Sequence, residues 1–192
     1  ENTGKIKKPE DFTLLNEEAA TALAKKLLAA KPWLISEITE TPYQTHPYPP
    51  FITSTIQQEA SRKFGWAARQ TMRTAQSLYE NGYITYMRTD SVNLSDQAIT
   101  AAREAAQEFG NEYLSAAPKT FANKSKLAQE AHEAIRPAGS HFQHPSDVAK
   151  AVSPEEAKLY DMIWKRTVAC QMKNAELGTQ SVKINIEKAV FE

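Results

Sequence analysis

Residues 82–91 read Gly82-Tyr83-Ile84-Thr85-Tyr86-Met87-Arg88-Thr89-Asp90-Ser91 and set a phenol and a guanidinium two positions apart. In an extended chain successive side chains point to opposite faces, so Ile84, Tyr86 and Arg88 are expected on one face. That pairing suits nucleophilic attack on a phosphodiester. A guanidinium can hold two phosphate oxygens in its planar fork and stabilise the charge that develops on them. A tyrosine phenol of ordinary pKa, about 10, costs about 4 kcal/mol to ionise at pH 7. A neighbouring cation lowers that cost, and a general base or a metal would share the task. The product would be a phosphotyrosine ester, which keeps the energy of the phosphodiester for resealing and needs no ATP. No glycine spacing of the P-loop kind occurs in the chain. Taken by itself, the decapeptide favours a plainer alternative, in which Tyr83 and Tyr86 are strand aromatics and Arg88 is a solvated edge charge.

A second group of residues could contact nucleic acid. Between Glu59 and Glu80 lie four cations, Arg62, Lys63, Arg69 and Arg73, with no acid among them and with Phe64 and Trp66 interleaved. Cations meeting phosphates beside aromatics that stack bases would suit single-stranded DNA. The alternative is a solvated face with Phe64 and Trp66 in the core, which is the preferred reading for those two rings. Lys119, Lys124 and Lys126 form a weaker cluster that reads as loop. His132-Glu133 could open a zinc-protease helix motif, but the second histidine would fall at position 136, which is arginine, so no metal site is read. His46, His141 and His144 lie in proline-flanked irregular segments and read as solvated.

The bulk properties exclude rather than identify. With 23 basic and 23 acidic residues the formal net charge is zero, which argues against a polybasic binder but leaves room for a local patch. Cys170 is the single cysteine, so no internal disulfide can form and a reducing, cytoplasmic setting is expected. It reads as a small buried residue. No apolar run has the length of a membrane span, and the polar first residues are unlike a signal peptide.

Several elements must position these side chains. A helix is expected over residues 16–30, with Asn16 as N-cap and Leu23, Leu27 and Leu28 on one face. Residues 33–41 read as a strand, with Trp33 as a packing residue, and the prolines at 42, 47, 49 and 50 read as a connector that no regular strand could include. Two helices follow, one begun by a Ser54/Gln57 capping box and broken at Gly65, the other over residues 67–81 and closed by Gly82. Residues 83–88 are rich in β-formers and read as a strand, giving a helix-turn-helix-strand order similar to winged-helix units. A helix capped at Ser95 runs to about Gly110, a loop covers 111–125, and a short helical pattern spans 129–134. After an irregular link over 137–145, Ser153, Pro154 and Glu156 give the strongest helix start, for a helix reaching about residue 172. Its Leu159, Met162, Ile163 and Val168 are expected to face inward. Val182, Ile184 and Ile186 alternate with polar residues as in a half-buried strand. The layout predicted is a mainly helical domain over 51–172 between two pieces of a β-rich one, 1–50 and 173–192. Both chain ends look cut.

Three separated segments bear a resemblance to one family. Residues 83–91, Tyr-Ile-Thr-Tyr-Met-Arg-Thr-Asp-Ser, resemble the active-site signature of type IA DNA topoisomerases, in the Tyr-Met-Arg form of the bacterial type I branch. Residues 50–58 are similar to the family's Pro-Phe-Thr-Thr-Ser-Thr-Leu-Gln-Gln stretch, departing at Ile52 and conservatively at Ile56. Residues 132–137 match its His-Glu-Ala-Ile-Arg-Pro motif. The resemblance implies an α+β chain, mainly α with flanking β: a winged-helix-like helical domain carrying the tyrosine, inserted in part of a β-rich arch. It implies Tyr86 as the nucleophile that becomes linked to the 5′ phosphate, Arg88 as the transition-state cation, Asp90 and His132 as supporting residues, and Arg136 as a phosphate contact. Single-stranded DNA and the remaining domains of a longer enzyme are the implied partners. Mg²⁺ is the implied cofactor, held by an acidic Toprim domain of which this chain shows no Asp-x-Asp motif. Zinc-ribbon cysteines are absent too. The chain alone is therefore expected not to relax supercoiled DNA. The main rival is a winged-helix DNA-binding module without chemistry. A tyrosine recombinase fits less well, since His132 and Arg136 follow Tyr86 in the chain rather than precede it.

Overall fold

The computed structural model describes residues 13–121 and 132–192. Lys124, Lys126 and the pattern at 129–131 lie outside the described residues. The chain is α+β and falls into two compact units, one formed by the chain up to Tyr43 together with Leu177–Glu192, the other by Gln44–Glu176.

In the first unit, helix α1 (Glu17–Ala29) starts where Asn16 Oδ1 accepts the Ala19 amide at 2.8 Å. Its leucines share a face as expected, yet Leu23 and Leu28 are exposed. Strands β1 (Leu34–Thr45), β2 (Ala175–Ile186) and β3 (Ala189–Phe191) form a sheet in the order β1-β2-β3, with Ile184 opposite Phe191 and Ile186 opposite Ala189. The expected break at Pro42 is wrong: β1 runs through it. Proline is tolerated there because β1 is an edge strand, on which a missing amide need not interrupt the ladder. Cross-strand side chains replace a buried face, with Lys183 Nζ 2.6 Å from Glu37 and Gln180 donating to Glu40 at 2.9 Å. Trp33 is half exposed rather than packed, its indole donating to Ala30 O at 2.9 Å.

The second unit holds α2 (Thr53–Phe64), α3 (Ala68–Glu80), α4 (Asp96–Gln107), a 3₁₀ turn at Asn111–Tyr113, α5 (Pro145–Val148) and α6 (Pro154–Ala169). Helix α6 is the centre, packing against α3, α4 and α5. Its capping box forms as expected, with Glu156 N–H donating to Ser153 Oγ at 3.3 Å and Ser153 N–H to Glu156 Oε2 at 2.9 Å. Leu159, Met162, Ile163 and Val168 are buried with Tyr160, Ile56, Ala60, Ala75, Leu78 and Trp66 in one cluster. The helix stops at Ala169, and Met172 instead bridges Leu114. Cys170 is buried, and that burial pushes its thiol up to about 11.

Two expectations change here. No Ser54/Gln57 box forms: α2 begins at Thr53, and Thr55 Oγ1 accepts the Ile52 amide at 3.0 Å. The link over 137–145 is irregular up to Pro145, where the short helix α5 begins, capped by His144, which accepts the Ser146 amide at 3.3 Å. Residues 132–134 are not helical; Ile135 bridges Phe51 in an extended pairing.

Candidate active site

Helix α3 ends in a turn that delivers the chain to the tyrosine segment. Gly82 adopts φ 76°, a left-handed conformation that costs a residue without Cβ nothing, while Tyr83 N–H donates to Leu78 O at 2.8 Å. The segment is not the regular strand expected for 83–88. Only Ile84 makes a bridge, to Pro137; Tyr83 pairs with Leu78 O and the Ala138 amide, Thr85 with residues 134 and 136, and Met87 O with the Thr53 hydroxyl.

Two threonines hold the segment from opposite sides. Thr85 Oγ1 donates to Ala134 O at 2.7 Å and accepts the Arg136 amide at 3.0 Å, and Thr85 N–H donates to Arg136 O at 2.9 Å. Thr53 Oγ1 accepts the Thr89 amide at 2.9 Å and lies 2.9 Å from Met87 O, and Thr53 N–H donates to Thr89 O at 2.9 Å. Phe51 O accepts the Ile135 amide at 2.8 Å and closes the arrangement. The three sequence segments that bore the resemblance are therefore hydrogen-bonded into one structure.

Between these clamps the side chains alternate. Tyr86, Arg88 and Asp90 are exposed, while Met87, Thr89 and Ser91 are buried. Tyr86 is 48% exposed. Phenol and guanidinium are thus both accessible, two positions apart in the chain. Ile84 is buried instead of sharing that exposure, because its position is fixed by the bridge to Pro137.

Arg88 and Asp90 line an open cleft of about 620 Å³ with His132, Ile52, Thr53, Ser54, Gln57 and Thr89. Tyr86 does not line the cleft; it stands at the next outward position along the chain. The N-terminus of α2 carries no side-chain cap at this rim. Its amide dipoles and the Arg88 guanidinium both favour an anion.

The remaining sequence candidates separate. Arg136 is turned inward, with its side chain 8% exposed, and does not offer the phosphate contact expected of it. Its Nη2 and Nε meet Glu133 Oε2 at 2.7 and 3.2 Å, and its Nη1 donates to Pro137 O at 2.9 Å and Gly139 O at 3.2 Å. Glu133 also accepts the Ser95 amide at 2.8 Å, at the N-cap of α4. Burial works to raise the Glu133 carboxyl, but the hydrogen bonds from Ser95 and Arg136 outweigh it and hold the group below its ordinary value. Arg62 and Lys63 are drawn to Glu59 at 2.8 and 3.3 Å, an acid just outside the cation run, and chiefly through the Arg62 hydrogen bond Glu59 falls to about 2. Arg69 and Arg73 are exposed and pair with no carboxylate among the described residues. Trp66 is buried with Phe64 beside it, ring centroids 5.0 Å apart, so both serve the core. Sequence reasoning missed Tyr79, whose ring meets that of Tyr86 in an edge-on contact with centroids 5.3 Å apart.

The family model for DNA topoisomerase matches residues 1–192, the whole chain. The chain belongs to the bacterial DNA topoisomerase family. It is 54% identical over 191 residues to DNA topoisomerase 1 of Synechocystis, covering 99% of this chain and 21% of that protein. It is 49% identical to DNA topoisomerase 1 of Mycolicibacterium smegmatis, covering 96% of this chain and 20% of that one. Among solved structures, full-length topoisomerase I of Thermotoga maritima superposes with a TM-score of 0.71 at 33% identity, over 95% of this chain and 29% of that chain. The chain spans about a fifth of the length of these curated topoisomerases. No helix among the described residues is long and apolar enough to cross a membrane.

Proposed function

We propose that this chain is the tyrosine-bearing section of a cytoplasmic type IA DNA topoisomerase, an isomerase that breaks and reseals one DNA strand. Tyr86 Oη attacks a backbone phosphorus and loses its proton. The bond from phosphorus to the 3′ oxygen breaks, that oxygen leaves with a proton, and a 5′-phosphotyrosine ester remains. Arg88, at the cleft, holds the non-bridging oxygens and stabilises their growing charge. His132, across the same cleft, contacts the bound strand, and Asp90 restrains Arg88 or His132 electrostatically. Resealing is the reverse attack by the 3′ hydroxyl and needs no ATP. Arg69 and Arg73 supply the phosphate contacts of the approaching single strand; Arg62 and Lys63 contribute less, because Glu59 competes for them.

The observation that carries this reading is the alternation at 86–91, which turns Tyr86, Arg88 and Asp90 outward together beside a cleft holding His132. The Mg²⁺ implied by the family has no fitting residues here: among the described residues no three His, Cys, Asp or Glu side chains come together as ligands. We assign the metal to other domains of the longer enzyme, and the isolated chain is expected not to relax supercoiled DNA.

The test uses the full-length protein carrying this chain and single-stranded oligonucleotides labelled at either end. After denaturation, a 3′-end label should travel with the protein and a 5′-end label should be released, and Tyr86→Phe should abolish both. Adduct formation by Tyr86→Phe, or the opposite label polarity, contradicts the assignment. Tight binding with no adduct would favour the rival reading, a winged-helix-like module built on α2 and α3 with exposed Arg69 and Arg73.

A further inference from the structure

We infer that Tyr79 is a positioning residue for the reaction, holding the ring of Tyr86 in the orientation from which it attacks; the inference rests on the reading of Tyr86 as nucleophile. The backbone on either side of Tyr86 is fixed, by Thr85 to residues 134–136 and by Thr53 to Met87 and Thr89. The ring itself is not. It is half exposed, and its hydroxyl makes no hydrogen bond among the described residues. A free side chain of this kind distributes over staggered wells about its first torsion, and only one of them can present the oxygen to a given phosphorus.

The contact that selects among those wells is the edge-on one with Tyr79, centroids 5.3 Å apart and planes at 68°. Such a pair places the positive edge of one ring on the negative face of the other. Tyr79 is suited to the part because its own backbone is locked. It lies in the last turn of α3, its carbonyl accepts the Gly82 amide at 2.9 Å, and Asn81 Nδ2 donates to Ser77 O at 2.8 Å. The Tyr79 hydroxyl makes no hydrogen bond among the described residues either, so the ring carries the function. Tyr79 is itself 42% exposed, which leaves room beside it for DNA.

The experiment measures single-turnover cleavage of a single-stranded oligonucleotide by the full-length protein, at saturating DNA, together with the dissociation constant. An aromatic contact of this kind corresponds to a fall in the rate constant of about 3- to 10-fold in Tyr79→Ala. The dissociation constant should stay within about twofold, and Tyr79→Phe should restore the rate. Equal loss in Tyr79→Phe and Tyr79→Ala would assign the effect to the hydroxyl and overturn the inference. So would an unchanged rate in Tyr79→Ala, or a loss confined to DNA affinity, which would make Tyr79 a stacking platform. Should Tyr79→Ala unfold, Tyr79→Leu replaces it, with the same outcomes read. Tyr86→Phe, run in parallel, tests the underlying reading separately: an adduct there defeats the nucleophile assignment whatever Tyr79 does.

Discussion

Arg136 is assigned a structural task by its contacts, and replacing it with methionine should expose that task. Methionine keeps an unbranched stem reaching about as far as the arginine Nε but loses the fork on Glu133 and the bonds to Pro137 O and Gly139 O. Removing one partner of a fully buried ion pair costs about 3–5 kcal/mol. The Glu133 side chain is 31% exposed and would regain some water, so about half of that applies here. The two carbonyls left with fewer donors add about 1 kcal/mol each at most. The sum is about 2–4 kcal/mol, which for a unit of this size lowers Tm on the order of 10 °C. Thermal unfolding followed by circular dichroism reads this directly, and the double variant with Glu133→Gln should lose less than the two single variants added together. A Tm within about 3 °C of the parent, with a single-strand binding slope against log salt reduced by about 0.7, would refute the reasoning and make Arg136 a phosphate contact after all.

Three further outcomes follow from the same contacts. Thr53→Val keeps the shape but leaves the Thr89 amide unpartnered, so it should cost about 1–3 kcal/mol in unfolding and slow cleavage more than it weakens DNA binding. On acidification, carboxylates held low when folded contribute stability only above their unfolded values. Stability should therefore fall as pH drops from about 4.5 towards 2 in acid-unfolding curves, and Glu59→Gln should flatten that fall because Glu59 sits at about 2 when folded. Arg69→Ala with Arg73→Ala should reduce the salt dependence of single-strand binding by about 1.4 in slope, with Arg62→Ala changing it less.

How far the sequence could be read depended on whether a residue's partner was close in the chain. The start of α6 was legible because Ser153, Pro154 and Glu156 satisfy one another within a single turn. Period-two spacing matches the exposure of Tyr86 and Arg88 but not the burial of Ile84, because no ladder extends over 83–88 and residue 84 bridges Pro137 instead. Pro42 was misread since strand patterns do not say which strand will lie at an edge. The inward turn of Arg136 was hidden for a similar reason. Its spacing from Glu133 is that of any two residues three apart, and only the extended backbone at 132–136 brings Glu133 to the α4 cap as well. Tyr79 and Tyr86 are separated by a helix end and a glycine turn, and no periodicity links positions across such a break. The three matching segments were found by resemblance, whereas the reason they belong together, the paired hydroxyls of Thr53 and Thr85, needed coordinates.

The most direct measurement locates the DNA attachment. Trypsin cutting after Arg73 and Arg88 yields one peptide, residues 74–88, that contains Tyr79, Tyr83 and Tyr86. Fragmentation of the trapped adduct by mass spectrometry should place the 5′-phosphonucleotide on Tyr86 and on neither neighbour. A nucleotide on Tyr79, on Tyr83 or on a different peptide would contradict the account.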